Sequence, residues 1–309
     1  MHESIQDCIT AINRLRKERR AVILAHTYQP AEVQDIADYV DDSYGLSAKA
    51  AAVKDADLIV FCGVQFMAET AAILNPGRKV IMPDPSAGCP MADMITAEKL
   101  RAFKAKHPGA PVVCYVNSTA EVKAESDICC TSANAVKIVK SLGDAPEIIF
   151  VPDQFLGKFV EKQLGRRLLL WEGCCPIHHN LGSDCIARMK AEYPDAKVMV
   201  HPETPPDAQA AADYILSTGQ MIELVKNTKD KRFLVGTEDG IIHALRKAAP
   251  HCDLILISPT LRCPNMKKTT LPKIRQALAS GETVISVDPL IAAKAKKAID
   301  AMLEVSRRP

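Results

Sequence analysis

A cysteine followed at once by proline occurs three times in this chain, at Cys89-Pro90, Cys175-Pro176 and Cys263-Pro264, with spacings of 86 and 88 residues. Each stands a few residues after a short apolar run. Three other stretches also read alike: 22–29 (Val-Ile-Leu-Ala-His-Thr-Tyr-Gln), 112–119 (Val-Val-Cys-Tyr-Val-Asn-Ser-Thr) and 198–205 (Val-Met-Val-His-Pro-Glu-Thr-Pro). Ser43, Ser132 and Ser217 recur at 89 and 85 residues, and Val112, Val198 and Val284 at 86 and 86. Self-similarity at a fixed period means that one supersecondary unit has been copied. The chain therefore reads as three homologous αβα units.

Within each unit the pattern is a short apolar run, small or polar turn residues, then a longer stretch rich in Ala, Lys and Glu, which is the βαβ signature. Strands are expected at 22–25, 58–61, 80–82, 112–116, 148–151, 168–171, 198–200, 233–235, 254–257 and 284–287. Helices are expected at 32–39, 65–74, 97–106, 154–164, 208–216, 240–248 and 271–279. Most of the strands are continuous apolar runs, as parallel strands covered on both faces require. The expected architecture is α/β, with short parallel sheets arranged around a pseudo-threefold axis and a central cavity. The first unit spans 1–106, with 283–309 closing back onto it, the second 107–190 and the third 191–282.

Composition narrows the function. Hydrophobic residues make up 48% of the 309 and charged residues 25%, the balance of a globular chain. Lys and Arg number 39 against 37 Asp and Glu, and the net charge of +2 lacks the electrostatic footprint of a nucleic-acid or membrane binder. No apolar run approaches the roughly 20 residues that span a bilayer. The segment Arg14 to Arg20, charged where a signal peptide would be apolar, reads as a solvated helix face, so a cytoplasmic location is expected. Eleven cysteines, an odd number, in a reducing compartment read as buried thiols, metal ligands or nucleophiles rather than disulfides.

Ligands of parallel α/β layers bind beyond the carboxyl ends of the strands. With three such ends facing inward, the three cysteines converge, together with His26, Tyr28, Tyr115, Asn117, His201 and Glu203. Three thiolates suit a soft metal centre. Structural zinc takes four ligands, commonly in Cys-x-x-Cys pairs, and that pair is absent from this sequence. A cubane iron–sulfur cluster held by three cysteines leaves one iron open as a Lewis acid, which points to lyase or dehydratase chemistry.

At this point the residues carry a resemblance. The segments Ala25-His26-Thr27-Tyr28-Gln29, Asp42-Ser43, Gly88-Cys89-Pro90-Met91-Ala92-Asp93-Met94, Tyr115-Val116-Asn117-Ser118 and Thr131-Ser132-Ala133-Asn134-Ala135 are similar to those of the quinolinate synthases, the A protein of de novo NAD biosynthesis. So, in the same order, are Trp171-Glu172-Gly173-Cys174-Cys175-Pro176-Ile177-His178, His201-Pro202-Glu203, Ser217-Thr218, Gly236-Thr237-Glu238 and Cys263-Pro264-Asn265-Met266-Lys267. The match runs from about residue 20 to 300.

The resemblance implies a [4Fe-4S] cluster on Cys89, Cys175 and Cys263, with Cys175 favoured over its neighbour Cys174 by the family spacing to His178. It implies condensation of iminoaspartate with dihydroxyacetone phosphate to quinolinate, releasing phosphate and two waters, and an aspartate oxidase or dehydrogenase as supplier of the imine. His201 and Glu203 match the family's acid–base pair, and Tyr28 matches the tyrosine of the ring-closure steps. His26, Ser43, Tyr115, Asn117, Ser132, Ser217 and Thr218 match positions that hold substrate carboxylates or phosphate, and His178 lies near the cluster. Asp41 stands where the family more often has Gly, and Thr204 where it often has Cys. Ile257 and Thr260 occupy the spacings of an extra cysteine pair found in some members.

Each residue also has a plainer reading. A single cysteine is most often a buried thiol, and Ser43, Ser132 and Ser217 read equally as helix N-caps. Repetition at equivalent positions favours function. Two classes then remain, the enzyme and a non-enzymatic iron–sulfur or metal carrier or sensor; a carrier has no need of anion-binding groups from all three units.

Overall fold

The computed structural model describes residues 4–53 and 55–308. Twelve strands form three separate four-stranded sheets. The first contains β1 (Ala21–His26), β2 (Tyr39–Asp41), β3 (Leu58–Cys62) and β4 (Lys79–Ile81). The second contains β5 (Val112–Tyr115), β6 (Ile128–Cys130), β7 (Ile149–Val151) and β8 (Leu169–Leu170). The third contains β9 (Lys197–Val200), β10 (Tyr214–Ile215), β11 (Arg232–Gly236) and β12 (Asp253–Leu256). Their orders are β2-β1-β3-β4, β6-β5-β7-β8 and β10-β9-β11-β12, one order three times, and every pair within them is parallel. The three-unit α/β architecture expected from the repeats is thus present.

The register of the repeat is fixed by an aspartate. Asp38, Asp127 and Asp213 each accept the backbone N–H of the residue fifteen positions earlier, Ile23, Val112 and Val198, at 2.8, 2.7 and 2.8 Å. Each also returns its own N–H to that residue's carbonyl, at 2.9, 3.1 and 2.9 Å. The clasp turns the chain at the end of a short helix and lays the next strand against the first, Leu24 opposite Tyr39, Val113 opposite Ile128 and Met199 opposite Tyr214. It also shifts the first copy by one residue from the sequence alignment: Ile23, not Val22, corresponds to Val112 and Val198. In this frame His26, Tyr115 and His201 are equivalent, as are Tyr28, Asn117 and Glu203.

Three expectations are corrected. The helices expected at 32–39 and 208–216 end at Ile36 and Ala211, because the Asp38 and Asp213 clasps redirect the chain into β2 and β10. The run 284–287 forms no strand; Val284 makes a single antiparallel bridge to Ile81, flanked by Met82 N–H to Thr283 O at 3.0 Å and Ile285 N–H to Val80 O at 2.8 Å. The strands β2, β6 and β10, two or three residues long, are additional to those expected.

The chain forms two compact units, Met1–Cys89 with Pro264–Ala292, and Pro90–Cys263 with Ala293–Pro309. In the first, helices Ile5–Glu18 and Leu271–Ser280 bury Cys8, Ile12, Ile274 and Leu278 against Ile23, Val60 and Ile81 of the sheet. In the second, which holds two sheets, Val198, Val200 and Leu234 lie at the centre of a core completed by Leu181, Ile186, Ala208, Ile257 and Leu261. Burial of such continuous Val, Ile and Leu runs leaves only the strand ends for chemistry.

Candidate active site

β9 enters the second unit as the buried run Val198-Met199-Val200 and ends at His201. The next three residues are locked by their own polar groups. Thr204 gives both its N–H (3.0 Å) and its hydroxyl (2.8 Å) to the His201 carbonyl, and Gln209 Nε2 donates to the carbonyls of Pro202 (2.9 Å) and Thr204 (2.8 Å). The Glu203 N–H donates to His201 Nδ1 at 3.3 Å. His201-Pro202-Glu203 therefore presents two side chains from a rigid turn.

Glu203 is 3% exposed and gathers the site. Its Oε1 accepts the Tyr115 hydroxyl at 2.5 Å and Asn117 Nδ2 at 3.3 Å. Its Oε2 lies 2.7 Å from His178 Nδ1 and 3.8 Å from His201 Nδ1. The rings of His178 and His201 stack at 4.9 Å. Since Nδ1 of His201 accepts the Glu203 N–H, its proton sits on Nε2, which reaches Ser132 Oγ at 3.1 Å. His178 Nε2 meets the Thr237 hydroxyl at 2.8 Å, so the outer nitrogen of each ring has its own hydroxyl partner.

Burial sets the charges. Loss of water around His201 pulls its pKa down to about 3 despite Glu203, and His178 lowers it further, so His201 is neutral at physiological pH. Burial pushes the Glu203 carboxyl up, but the two histidines and the hydrogen bonds from His178 and Tyr115 outweigh it, so Glu203 is held below the usual carboxylate range. A short O–H···O bond to a charged acceptor is among the strong ones. One ionised carboxylate, a phenol and two imidazoles in mutual contact make a proton-transfer centre.

Donor atoms of Cys175, His178 and Glu203 lie within 4.8 Å of one another. Cys175 opens the short helix Pro176–His179. Its loop packs tightly on the turn that follows β7: a Cβ at Gly173 would fall 2.4 Å from the Pro152 carbonyl oxygen, a contact only glycine permits. Cys263 follows β12 in the same unit, its N–H donating to Glu238 Oε1 at 2.9 Å.

The three cysteines share one backbone device. Gln65, Gln154 and Asp239 donate their N–H groups to the carbonyls of Ala87, Gly173 and Leu261, at 2.9, 2.8 and 2.8 Å. The acceptor in each case is two residues before Cys89, Cys175 or Cys263. Cys174 is out of this register by one. The three in register are partly exposed, as are Cys174, Cys185 and Cys252, whereas Cys8, Cys62, Cys114, Cys129 and Cys130 are buried.

In the first unit β1 ends at His26, whose Nδ1 accepts the Tyr28 N–H at 3.1 Å, the same local turn as His201 and Glu203. The His26 and Tyr28 rings meet edge-on at 4.7 Å, and Gln34 Nε2 donates to the Thr27 and Gln29 carbonyls as Gln209 does in the third copy. Ser43 is the first residue of helix Ser43–Ala52, which Asp42 caps. Ser217 does cap its helix, Thr218–Asn227, in a capping box with Gln220. The aspartate-anchored frame makes Ser43, Ser132 and Thr218 the equivalent trio, so Ser217 corresponds to Asp42 and Thr131. Ser132 likewise caps no helix; Asn134 precedes Ala135–Ser141.

Of the expected site residues, the structure brings Tyr115, Asn117, Ser132, His178, His201 and Glu203 into one network beside Cys175. Ser217 and Thr218 are buried at the start of their helix. Three residues had no role in the sequence reading: Thr237 on His178, Glu238 on Cys263, and Asp153. Asp153 is fully buried between β7 and helix Gln154–Leu164, and its pKa is raised well above the usual range by burial and by the Glu203 charge. The sequence signal for Asp153 and Glu238 is an acid directly after an apolar strand, and it is weak because a helix cap gives the same pattern.

The family model described as "NadA: Quinolinate synthetase A protein" matches residues 10–304. The chain is 54% identical over 294 residues to a quinolinate synthase of Dehalococcoides mccartyi strain CBDB1, covering 95% of this chain and 97% of the relative. It is 53% identical over 296 residues to one of Geobacter metallireducens, covering 96% and 97%. A quinolinate synthase of the archaeon Methanosarcina barkeri is 48% identical over 302 residues, covering 98% and 99%.

Proposed function

Because the chain belongs to the quinolinate synthase family, we propose that it condenses iminoaspartate with dihydroxyacetone phosphate to quinolinate, phosphate and two waters. The equation balances without an oxidant: the four-carbon imine and the three-carbon phosphate supply every atom of the seven-carbon diacid and its three small products. Family membership sets aside the carrier or sensor considered from sequence.

The observation that carries this reading is Glu203, a buried carboxylate gripped by Tyr115, Asn117 and His178 and lying 3.8 Å from His201 Nδ1. A carbon–carbon bond, a carbon–nitrogen bond, loss of phosphate and two dehydrations each need a proton removed at one atom and delivered at another. Neutral His201 offers the proton it carries on Nε2, Glu203 accepts one at a carboxylate oxygen, and the Tyr115 hydroxyl returns one. Tyr28 is assigned the same duty in the later ring-closing steps. His26, Asn117, His178, Ser43, Ser132, Ser217 and Thr218 are assigned to the substrate carboxylates and phosphate; Ser43 and Thr218 open ten-residue helices, whose first-turn N–H groups suit anions.

Cys89, Cys175 and Cys263 are assigned as ligands of a [4Fe-4S] cluster. Their shared register and partial exposure fit thiolates offered to a soft metal centre. When bound, such a cluster supplies a Lewis-acidic iron without a protein ligand. A second reading rests on the nearness of Cys175, His178 and Glu203, which suits one mononuclear ion; zinc without sulfide in the purified protein would select it. The same proposal divides the chain into units 1–106 with 283–309, 107–190 and 191–282. It places the enzyme in the cytoplasm, fed by an aspartate oxidase or dehydrogenase. Among the described residues no helix is long and apolar enough to cross a membrane.

The test is quinolinate formation by anaerobically purified protein given dihydroxyacetone phosphate and an imine generated in situ. The parent is expected to be active, and Glu203→Gln to lose about 10²–10⁴-fold with its fold intact. Full activity in Glu203→Gln would overturn the reading.

A further inference from the structure

The residue before each backbone donor described above differs among the three copies, and the difference has a consequence. In the third copy it is Glu238, 1% exposed, which accepts the Cys263 N–H on Oε1 at 2.9 Å and the Gly240 N–H on Oε2 at 2.8 Å. In the second it is Asp153, fully buried, whose Oδ1 accepts the N–H groups of Phe155 (2.8 Å) and Leu156 (2.9 Å). Both of these bonds cap its own helix. In the first copy the position is Val64, which offers the Cys89 loop no acceptor.

We propose that Glu238 is a positioning residue, holding the backbone of Cys263 so that its thiol is presented in a fixed direction. A carboxylate suits this task because one side chain bonds two N–H groups at once, tying the cysteine to the turn that ends β11. The adjacent Thr237 extends the device to His178, whose ring it holds at 2.8 Å. The turn Gly236-Thr237-Glu238 thus orients a cysteine loop and a member of the proton-transfer centre from successive residues. The Cys89 loop is pinned differently: Asp84 accepts the N–H and hydroxyl of Ser86 at 2.9 and 2.7 Å and pairs with Lys273 at 2.5 Å.

This inference rests on the reading of Cys263 as a cluster ligand, but its test begins without a cluster. In metal-free protein, the rate of alkylation of each cysteine by iodoacetamide is read by peptide mass spectrometry. Glu238→Ala is expected to speed alkylation of Cys263 about tenfold, the equivalent of one charge-assisted hydrogen bond, and to leave Cys175 within twofold. Glu238→Gln keeps an acceptor for one N–H and is expected to fall between parent and Glu238→Ala; a merely destabilised fold would not show this rescue or this selectivity. Should Glu238→Ala fail to fold, Glu238→Gln carries the test with a smaller increase confined to Cys263.

Equal alkylation of Cys263 in parent and folded Glu238 variants, or an equal increase at both cysteines, would overturn the proposal. A second arm measures the rate of iron loss to a chelator from anaerobically reconstituted protein, expected to rise about tenfold in Glu238→Ala for the same reason. A parent that takes up no iron defeats the cluster reading alone, since the alkylation arm still decides the positioning role.

Discussion

At the residue scale the account turns on Glu203 and what burial does to its neighbours. Tyr115 makes its shortest bond, so Tyr115→Phe is expected to cost about 1.5–3 kcal/mol of transition-state stabilisation, roughly a 10- to 100-fold fall in kcat/KM; an unchanged value would remove Tyr115 from the proton path. His201 gives a pH signature. Its pKa lies at about 3 in the fold against 6.5 without burial, so between those values the unfolded chain binds the extra proton. Stability is therefore complete above about 6.5 and falls as the pH drops toward 3, by up to about 1.4 kcal/mol per pH unit. Glu203, also lowered, acts in the same direction at more acid pH. Thermal unfolding followed from pH 7 to 4.5 is expected to show a steeper decline in the parent than in His201→Asn. His201 and Glu203 were legible in sequence because a strand end with polar residues at alternate positions names its own chemistry. Thr237 and Glu238 were not, since their role appears only when a distant loop arrives beside them.

At the scale of elements, the aspartate clasp joins the first two strands of every sheet. Asp213 is held below the usual carboxylate range: burial raises it, but the Val198 N–H, Lys190 and Lys197 more than compensate. Each of Asp38→Ala, Asp127→Ala and Asp213→Ala is expected to leave one strand N–H without its partner and cost about 1–3 kcal/mol, read as a fall of several degrees in Tm. Three unequal results, with one variant at the parent value, would show that the clasps are not equivalent supports. The repeat itself was visible in the sequence, yet its register in the first copy was not, because Val22 and Ile23 are equally good strand residues. The aspartates resolve it, fifteen residues downstream, where a sequence reading of helix 32–39 or 208–216 passes over them. The short strands β2, β6 and β10 are hidden for the same reason: two or three residues carry no period.

At the scale of the whole molecule, the last helix, Pro289–Arg307, buries Ala295, Ala298, Ile299, Met302 and Leu303. Ser306 accepts Asn134 Nδ2 at 2.9 Å, and Lys137 reaches the Ser306 carbonyl at 3.3 Å as well as that of Arg308. Truncation after Ala292 removes burial of three large apolar side chains, roughly 5–9 kcal/mol, which is comparable with the whole stability of a domain. The shortened chain is expected to be insoluble or to lose its cooperative unfolding transition; a folded, soluble truncation would contradict this. The fold class followed from the repeats, whereas the run 284–287 misled, because this apolar β-branched segment at the repeat spacing meets the end of β4 through a single antiparallel bridge, too short a pairing to make a strand. The claim that gathers all three repeats is the cluster, and the most direct test is iron and acid-labile sulfide per chain after anaerobic purification. The account predicts about four of each in the parent and in Cys174→Ala, and loss in Cys89→Ala, Cys175→Ala and Cys263→Ala. Iron near zero after reconstitution, or loss in Cys174→Ala alone, would contradict it.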